Sequence, residues 1–151
     1  MDEIERRQRA AIAAEARSWL GTPYHHMGRI KGRRGGVDCA QLVWAVFFNV
    51  GLCEFLPLEP YSSQWHLHRT GERYMDKVMA RAHEVERPAP GDIALWRMGR
   101  AFAHGAIIVD PGWPAIVHAN AAAKAVVLGR GDEGRLAGRA MRFFSLFHAP
   151  R

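Results

Sequence analysis

The chain has 151 residues, 48% of them apolar, and a net charge of +6 from 21 basic and 15 acidic side chains. That length suits one domain with a real core, and that composition excludes a disordered chain. No apolar run approaches the ~18 residues of a membrane span, and two cysteines exclude a disulfide framework or a cysteine-built zinc site.

Residues 3–19 are the first predicted helix, alanine-rich, with Ile4, Ala11, Ile12, Ala16 and Trp19 on a broken apolar face. Gly21-Thr22-Pro23 stops it. Nothing between Met1 and Arg7 has the apolar character of a secretory signal, so synthesis in the cytoplasm is expected. Loop character then runs to Gly36, and Arg29-Ile30-Lys31-Gly32-Arg33-Arg34 gathers much of the positive charge. A basic surplus favours nucleic acid, membrane surface or an anionic wall polymer, and a merely solvated basic loop is as good a reading.

Asp38 is a good N-cap for the next helix, which carries Leu42, Val43, Val46, Phe47 and Val50 at helical spacing and ends at Gly51. Its apolar sides predict the central, buried helix. Residues 52–62 connect, and Gln64 to about Arg81 reads as one or two more polar helices. Short strands are predicted at Ile93–Arg97, His104–Asp110, Ala115–Asn120, Ala125–Leu128 and Arg142–His148, with a turn at Pro111-Gly112. Helices first and strands second describe an α+β fold, a single domain over 1–151 with an antiparallel sheet of about five strands.

Cys39 stands where a glycine-rich loop becomes the apolar helix, and helix-terminal amides and the helix dipole favour its thiolate. Cys53, past the end of that helix, reads as a small buried hydrophobe. If a hairpin across Pro111-Gly112-Trp113 puts Asp110 opposite Pro114, Ala106 lies opposite His118 and His104 opposite Asn120. His104, His118 and Asn120 then share one face, with His104 and His118 as diagonal neighbours. The sequence leaves the register open, and a slip of one residue would undo the arrangement. A base and an orienting group on one face are what a cysteine nucleophile needs. The pairs His25-His26 and His66/His68 lack cysteine partners and are not read as metal ligands. His83 and His148 read as surface or core-satisfying residues. Trp44, Phe47, Phe48, Phe143, Phe144 and Phe147 read as core rather than as a nucleic-acid stacking platform.

Five motifs occur in order: Gly21-Thr22-Pro23-Tyr24, Gly36-Val37-Asp38-Cys39-Ala40-Gln41-Leu42-Val43, Pro90-Gly91-Asp92-Ile93-Ala94-Leu95-Trp96, His104-Gly105-Ala106-Ile107-Ile108-Val109 and Ile116-Val117-His118-Ala119. Together they resemble the NlpC family of papain-like cysteine peptidases, over nearly the whole chain. Tyr61-Ser62-Ser63-Gln64-Trp65 and the arginine-rich insert resemble its phage and prophage tail-associated branch. The resemblance implies a papain-like fold with the nucleophile helix packed on the sheet, and hydrolysis of cell-wall peptidoglycan stems, typically between D-glutamate and a diamino acid. It implies Cys39 as nucleophile, His104 as base and His118 as third residue, with Asn120 as the alternative third residue. Tyr24 and Asp38 fall on positions that shape the substrate and oxyanion site. Ala40 and Gln41 depart from the serine and glycine usual after the cysteine.

No cofactor, metal or nucleic acid is expected. The partners implied are a peptidoglycan peptide and phage tail proteins, with action at the cell wall from a virion. A non-catalytic tail or wall-binding protein of the same fold, and a thiol amidase or acyl transferase, are the alternatives. The sequence sets no oligomeric state.

Overall fold

A computed structural model describes residues 1–56 and 72–147. Helix α1 spans Glu3–Arg17, and the Asp2 side chain caps it by accepting from the Glu5 amide. A two-stranded ribbon follows, β1 (Arg29–Ile30) and β2 (Gly36–Val37). Helix α2 spans Cys39–Asn49 and α3 spans Glu72–Met79. The remaining strands are β3 (His83–Val85), β4 (Ile93–Met98), β5 (Ala101–Ile108), β6 (Ala115–Asn120), β7 (Ala125–Arg130) and β8 (Met141–Ser145). A 3₁₀ turn at Gly134–Leu136 precedes β8.

The main sheet has six antiparallel strands in the order β3-β8-β4-β5-β6-β7. The α+β expectation is met, with one strand more than the sequence suggested. His83-Glu84-Val85 is too short to show a period of two. It becomes a strand because β8 offers it an edge, pairing Glu84 with Phe144. The β1–β2 ribbon, expected as loop, is likewise too short to signal itself. It closes tightly, since a Cβ on Gly35 would sit 1.9 Å from the Ile30 carbonyl oxygen. The expected helix starting at Gln64 begins at Glu72 among the described residues. Gln64, His66, His68, His148 and the Tyr61–Trp65 segment lie outside them.

One face of the sheet carries the larger core. Leu42, Val43, Val46 and Phe47 of α2 pack there with Ile12 and Ala16 of α1 and with Ile93, Leu95, Ile107, Val117 and Phe144 of the sheet. Burying each such large side chain contributes roughly 1.5–3 kcal/mol. Trp44, Phe47 and Phe144 are core as expected, whereas Phe48 is 45% exposed. The opposite face holds a smaller cluster of Ala94, Trp96, Ala106, Ile108, Ile116 and Leu136, flanked by Trp113 and Phe143.

An ion network fixes α1 to the sheet. The Arg9 guanidinium donates to Asp92 Oδ1 at 2.8 Å, to the Pro90 carbonyl at 3.0 Å, to Glu5 Oε1 at 2.9 Å and to Ser145 Oγ at 3.3 Å. It also stacks over the Phe147 ring, 4.4 Å from its centre. The other Asp92 oxygen accepts from the Ala89 amide at 2.8 Å. Each charged group in this network has a hydrogen-bond partner of opposite charge, which is what makes its burial tolerable.

Candidate active site

Asp38 starts α2, accepting from the Gln41 amide at 2.9 Å through Oδ1. Its Oδ2 accepts from the Met27 amide at 2.8 Å, which holds Met27 in a left-handed turn at φ 64°. Asp38 therefore fastens the preceding loop to the helix. With the Gln41 amide taken, the Cys39 and Ala40 amides remain turned toward the sulfur.

The sulfur reaches the sheet where two strands part. The β5–β6 ladder pairs Ile107 with Val117 and Ile108 with Ile116, the register supposed above and left open by the sequence, and ends there. The Ile108 amide and carbonyl face β4 through Asp92 and Gly91. By alternation, the Ala103 carbonyl and Gly105 amide face the side that β6 has left. Cys39 Sγ fills that place: it donates to the Ala103 carbonyl at 3.5 Å and takes a hydrogen bond from the Gly105 amide. A β-bulge lies beside it, since Trp96 opposes His104 while the next residue, Arg97, opposes Phe102. Such bulges re-aim side chains. Glycine at 105 is demanded by packing, because a Cβ there would lie 2.4 Å from the Tyr74 hydroxyl of α3.

His104 and His118 meet across the same parting, Nε2 of His104 to Nδ1 of His118 at 2.8 Å, with the rings edge to face. Trp96 flanks His104 with ring centres 5.6 Å apart. Asn120 is not part of this contact. Its Oδ1 accepts from the Ala122 and Ala123 amides at 3.0 and 3.3 Å and so closes the β6–β7 turn. Of the two candidates for third residue, only His118 touches His104.

The ionisation of the site differs from the sequence expectation of a thiolate. Burial, and then the Asp38 charge, push the Cys39 thiol up to about 12, against the pull of the Gly105, Ala40 and Cys39 amides. Burial, then His118 and Arg139, push His104 down to about 3. Burial alone pushes His118 down to about 4. All three shifts favour the neutral forms, burial acting against the pull of the helix-terminal amides. The Tyr24 phenol is also pushed up, by burial first and then by Cys39 and Asp38.

Gln41 has a partner of its own. Its Oε1 accepts from Arg29 Nε at 2.8 Å and from Arg29 Nη2, so the basic insert is tied to α2. Lys31 is held by Glu15 at 2.9 Å and by the Ser18 hydroxyl at 2.6 Å. Half of the basic loop is thus engaged internally, while Arg33 and Arg34 are exposed. His25 Nδ1 faces the His26 carbonyl at 3.0 Å, and His26 lies 3.8 Å from Asp38. Among the described residues no group of three or more His, Cys, Asp or Glu side chains could hold a metal ion. No helix among them is long and apolar enough to cross a membrane.

No protein-family model matches the chain. No curated protein matches it in sequence. Its structure is similar to that of the peptidoglycan hydrolase RipB from Mycobacterium tuberculosis, with 18% identity, a TM-score of 0.66 and coverage of 99% of this chain and 70% of that one. It is similar to the NlpC/p60 domain of the peptidoglycan hydrolase SagA, at 21% identity, a TM-score of 0.59 and coverage of 89% and 96%. It is also similar to the P60 domain of antigen MAP1204 from M. avium subspecies paratuberculosis, at 17% identity, a TM-score of 0.63 and coverage of 97% and 99%. At these identities the likeness is one of fold: the chain has the papain-like architecture of NlpC/p60 domains.

Proposed function

We propose that this protein is a cysteine peptidase that hydrolyses peptide bonds in the stems of bacterial peptidoglycan. The observation that carries the reading is the seating of Cys39 Sγ at the parted edge of β5, against the backbone flanking His104, with His104 bonded to His118 at 2.8 Å. Similarity of fold to peptidoglycan hydrolases supports the substrate class.

The proton inventory fixes the tautomers the mechanism needs. His104 must present a lone pair to the thiol on Nδ1, so its proton sits on Nε2 and is donated to His118 Nδ1. His118 then carries its own proton on Nε2. A separate thiolate–imidazolium pair is uphill in a site that keeps both groups neutral. His104 therefore removes the Cys39 proton as the sulfur attacks the carbonyl carbon, in one concerted step. The tetrahedral oxyanion lies near the Cys39 and Ala40 amides and the Tyr24 hydroxyl, and one such donor contributes roughly 3 kcal/mol. His104 returns its proton to the leaving amine, and water, activated by the same imidazole, hydrolyses the thioester. His118 orients His104 throughout.

The bond proposed is that between D-glutamate and the diamino acid, and the setting proposed is a phage or prophage tail, acting at the cell wall. Incubation of purified peptidoglycan with wild type and with the Cys39→Ala variant, followed by mass spectrometry of the released peptides, tests the activity. Cys39-dependent release of fragments ending in D-glutamate is expected. Binding without release would leave a wall-binding protein instead.

A further inference from the structure

Around the ends of the strands that carry Trp96 and His104 lie four arginines without carboxylate partners among the described residues. Arg97 and Arg100 lie at the β4–β5 hairpin, and Arg135 and Arg139 on the segment leading to β8; all four are exposed. Among the described residues none of them forms an ion pair, whereas Arg9, Arg17, Arg81, Arg130 and Arg142 each meet a carboxylate. The acids nearest in sequence, Asp132 and Glu133, are held by Arg130.

Arg139 is the best placed of the four. Trp96 opposes His104 on one side and Met141 on the other, so a row runs His104–Trp96–Met141 across three strands spaced about 4.8 Å apart. The Arg97 amide donates to the Ala140 carbonyl at 2.9 Å, so residue 139 lies two positions along the chain from Met141, beside that row near the end of β4. Leu136, three residues earlier, packs into the cluster with Trp96 and fixes the approach on the His104 face. The Arg139 Nε donates to the Arg135 carbonyl at 2.5 Å and Nη1 to the Arg97 carbonyl at 3.4 Å. Two carbonyls thus hold the stem and leave the charge itself uncompensated. His104 feels that charge.

We propose that Arg139 binds a carboxylate on the amine side of the scissile bond, selecting peptides whose leaving diamino acid carries a free carboxylate. The side follows from the mechanism. His104 protonates the leaving amine, so groups beyond His104, as seen from Cys39, face the leaving half of the peptide. A guanidinium held by its Nε and one Nη keeps its other terminal nitrogen for an incoming anion. The proposal rests on the peptidase reading above, and binding measured without turnover separates the failure of one from the failure of the other.

The experiment uses the full chain carrying Cys39→Ser and two probes, L-Ala-γ-D-Glu-L-Lys with a free C-terminal carboxylate and the same tripeptide as its carboxamide. Titration calorimetry should show the acid bound roughly 10-fold more tightly than the amide, the discrimination expected of one charge-assisted hydrogen bond. Adding Arg139→Gln should reduce that ratio to within about 2-fold, and Arg139→Lys should keep part of it. In the active enzyme the Arg139→Gln loss should appear in KM for the acid substrate. An acid-to-amide ratio unchanged by Arg139→Gln overturns the proposal, as does an amide bound as tightly as the acid by the unsubstituted arginine. Acid-selective binding without any Cys39-dependent cleavage would uphold the subsite and reject the peptidase.

Discussion

Two buried polar groupings lie against the same sheet and have opposite characters. Around Arg9, each charge has a counter-charge or a carbonyl, and the carboxylate of Asp92 takes the guanidinium on one oxygen and an amide on the other. Around Cys39, burial of the thiol and of His118, with His104 half-buried beside them, favours the neutral form of each. Matched burial holds structure in place, whereas unmatched burial stores reactivity that a substrate can draw on. Asp92 meets an arginine, while the equally buried Asp38 accepts from two backbone amides with His26 3.8 Å away, and its charge helps to raise the thiol.

The contrast breaks most sharply at the nucleophile. Cys39→Ala or His104→Ala should lower peptide release about 10⁴-fold or more with the fold kept, read by muropeptide digestion and circular dichroism. Full activity in either would end the mechanism. Next comes Arg9→Ala, which strands Asp92 and should cost about 3–5 kcal/mol in urea unfolding while activity per folded molecule is unchanged. A smaller effect is expected of His118→Ala, roughly 10²-fold in kcat, since orientation contributes less than the base itself. Equal damage from Asn120→Ala would shift the third role away from His118.

The smallest effects are in pH. The buried histidines have folded pKa values below the unfolded 6.5. Above pH 6.5 both states are neutral and the two histidines add no pH dependence. As pH falls from 6.5 toward 4 the unfolded chain takes up protons that the fold refuses, so stability drops by up to about 1.4 kcal/mol per pH unit for each histidine. A urea series over that range should show the decline, and His118→Asn should flatten it. With the thiol raised, iodoacetamide should label free Cys39 slowly at neutral pH and faster at each step up to pH 11. Fast labelling at pH 6 would restore the thiolate.

The sequence was a good guide to what is local. The Asp38 cap, the apolar run from Leu42 to Phe47 and the Pro111-Gly112 turn all declare themselves by residue type and spacing. The register beyond the turn stayed open in sequence, and in the fold the ladder ends at Ile107 and Val117, short of His104 and His118. What stayed hidden depends on partners remote in the chain. The bulge beside His104 leaves no mark in sequence, β3 needs β8 to exist, and Gln41 is explained only by Arg29 folding back on it. For Cys39, position at a helix start is visible in sequence and favours the thiolate, whereas the depth of burial that opposes it is not.

The parted edge of β5 has a consequence for protein chemistry on this chain. A strand edge with a bare carbonyl and a bare amide invites foreign strands, and here the thiol is its cover. Alanine at 39 would uncover the Ala103 carbonyl and the Gly105 amide, leaving two interior backbone groups in search of water or of another chain. Serine keeps a donor and an acceptor in that place. For crystals and titrations of a silenced enzyme, Cys39→Ser should therefore stay monodisperse at concentrations where Cys39→Ala begins to associate, a difference that light scattering on the two variants would register.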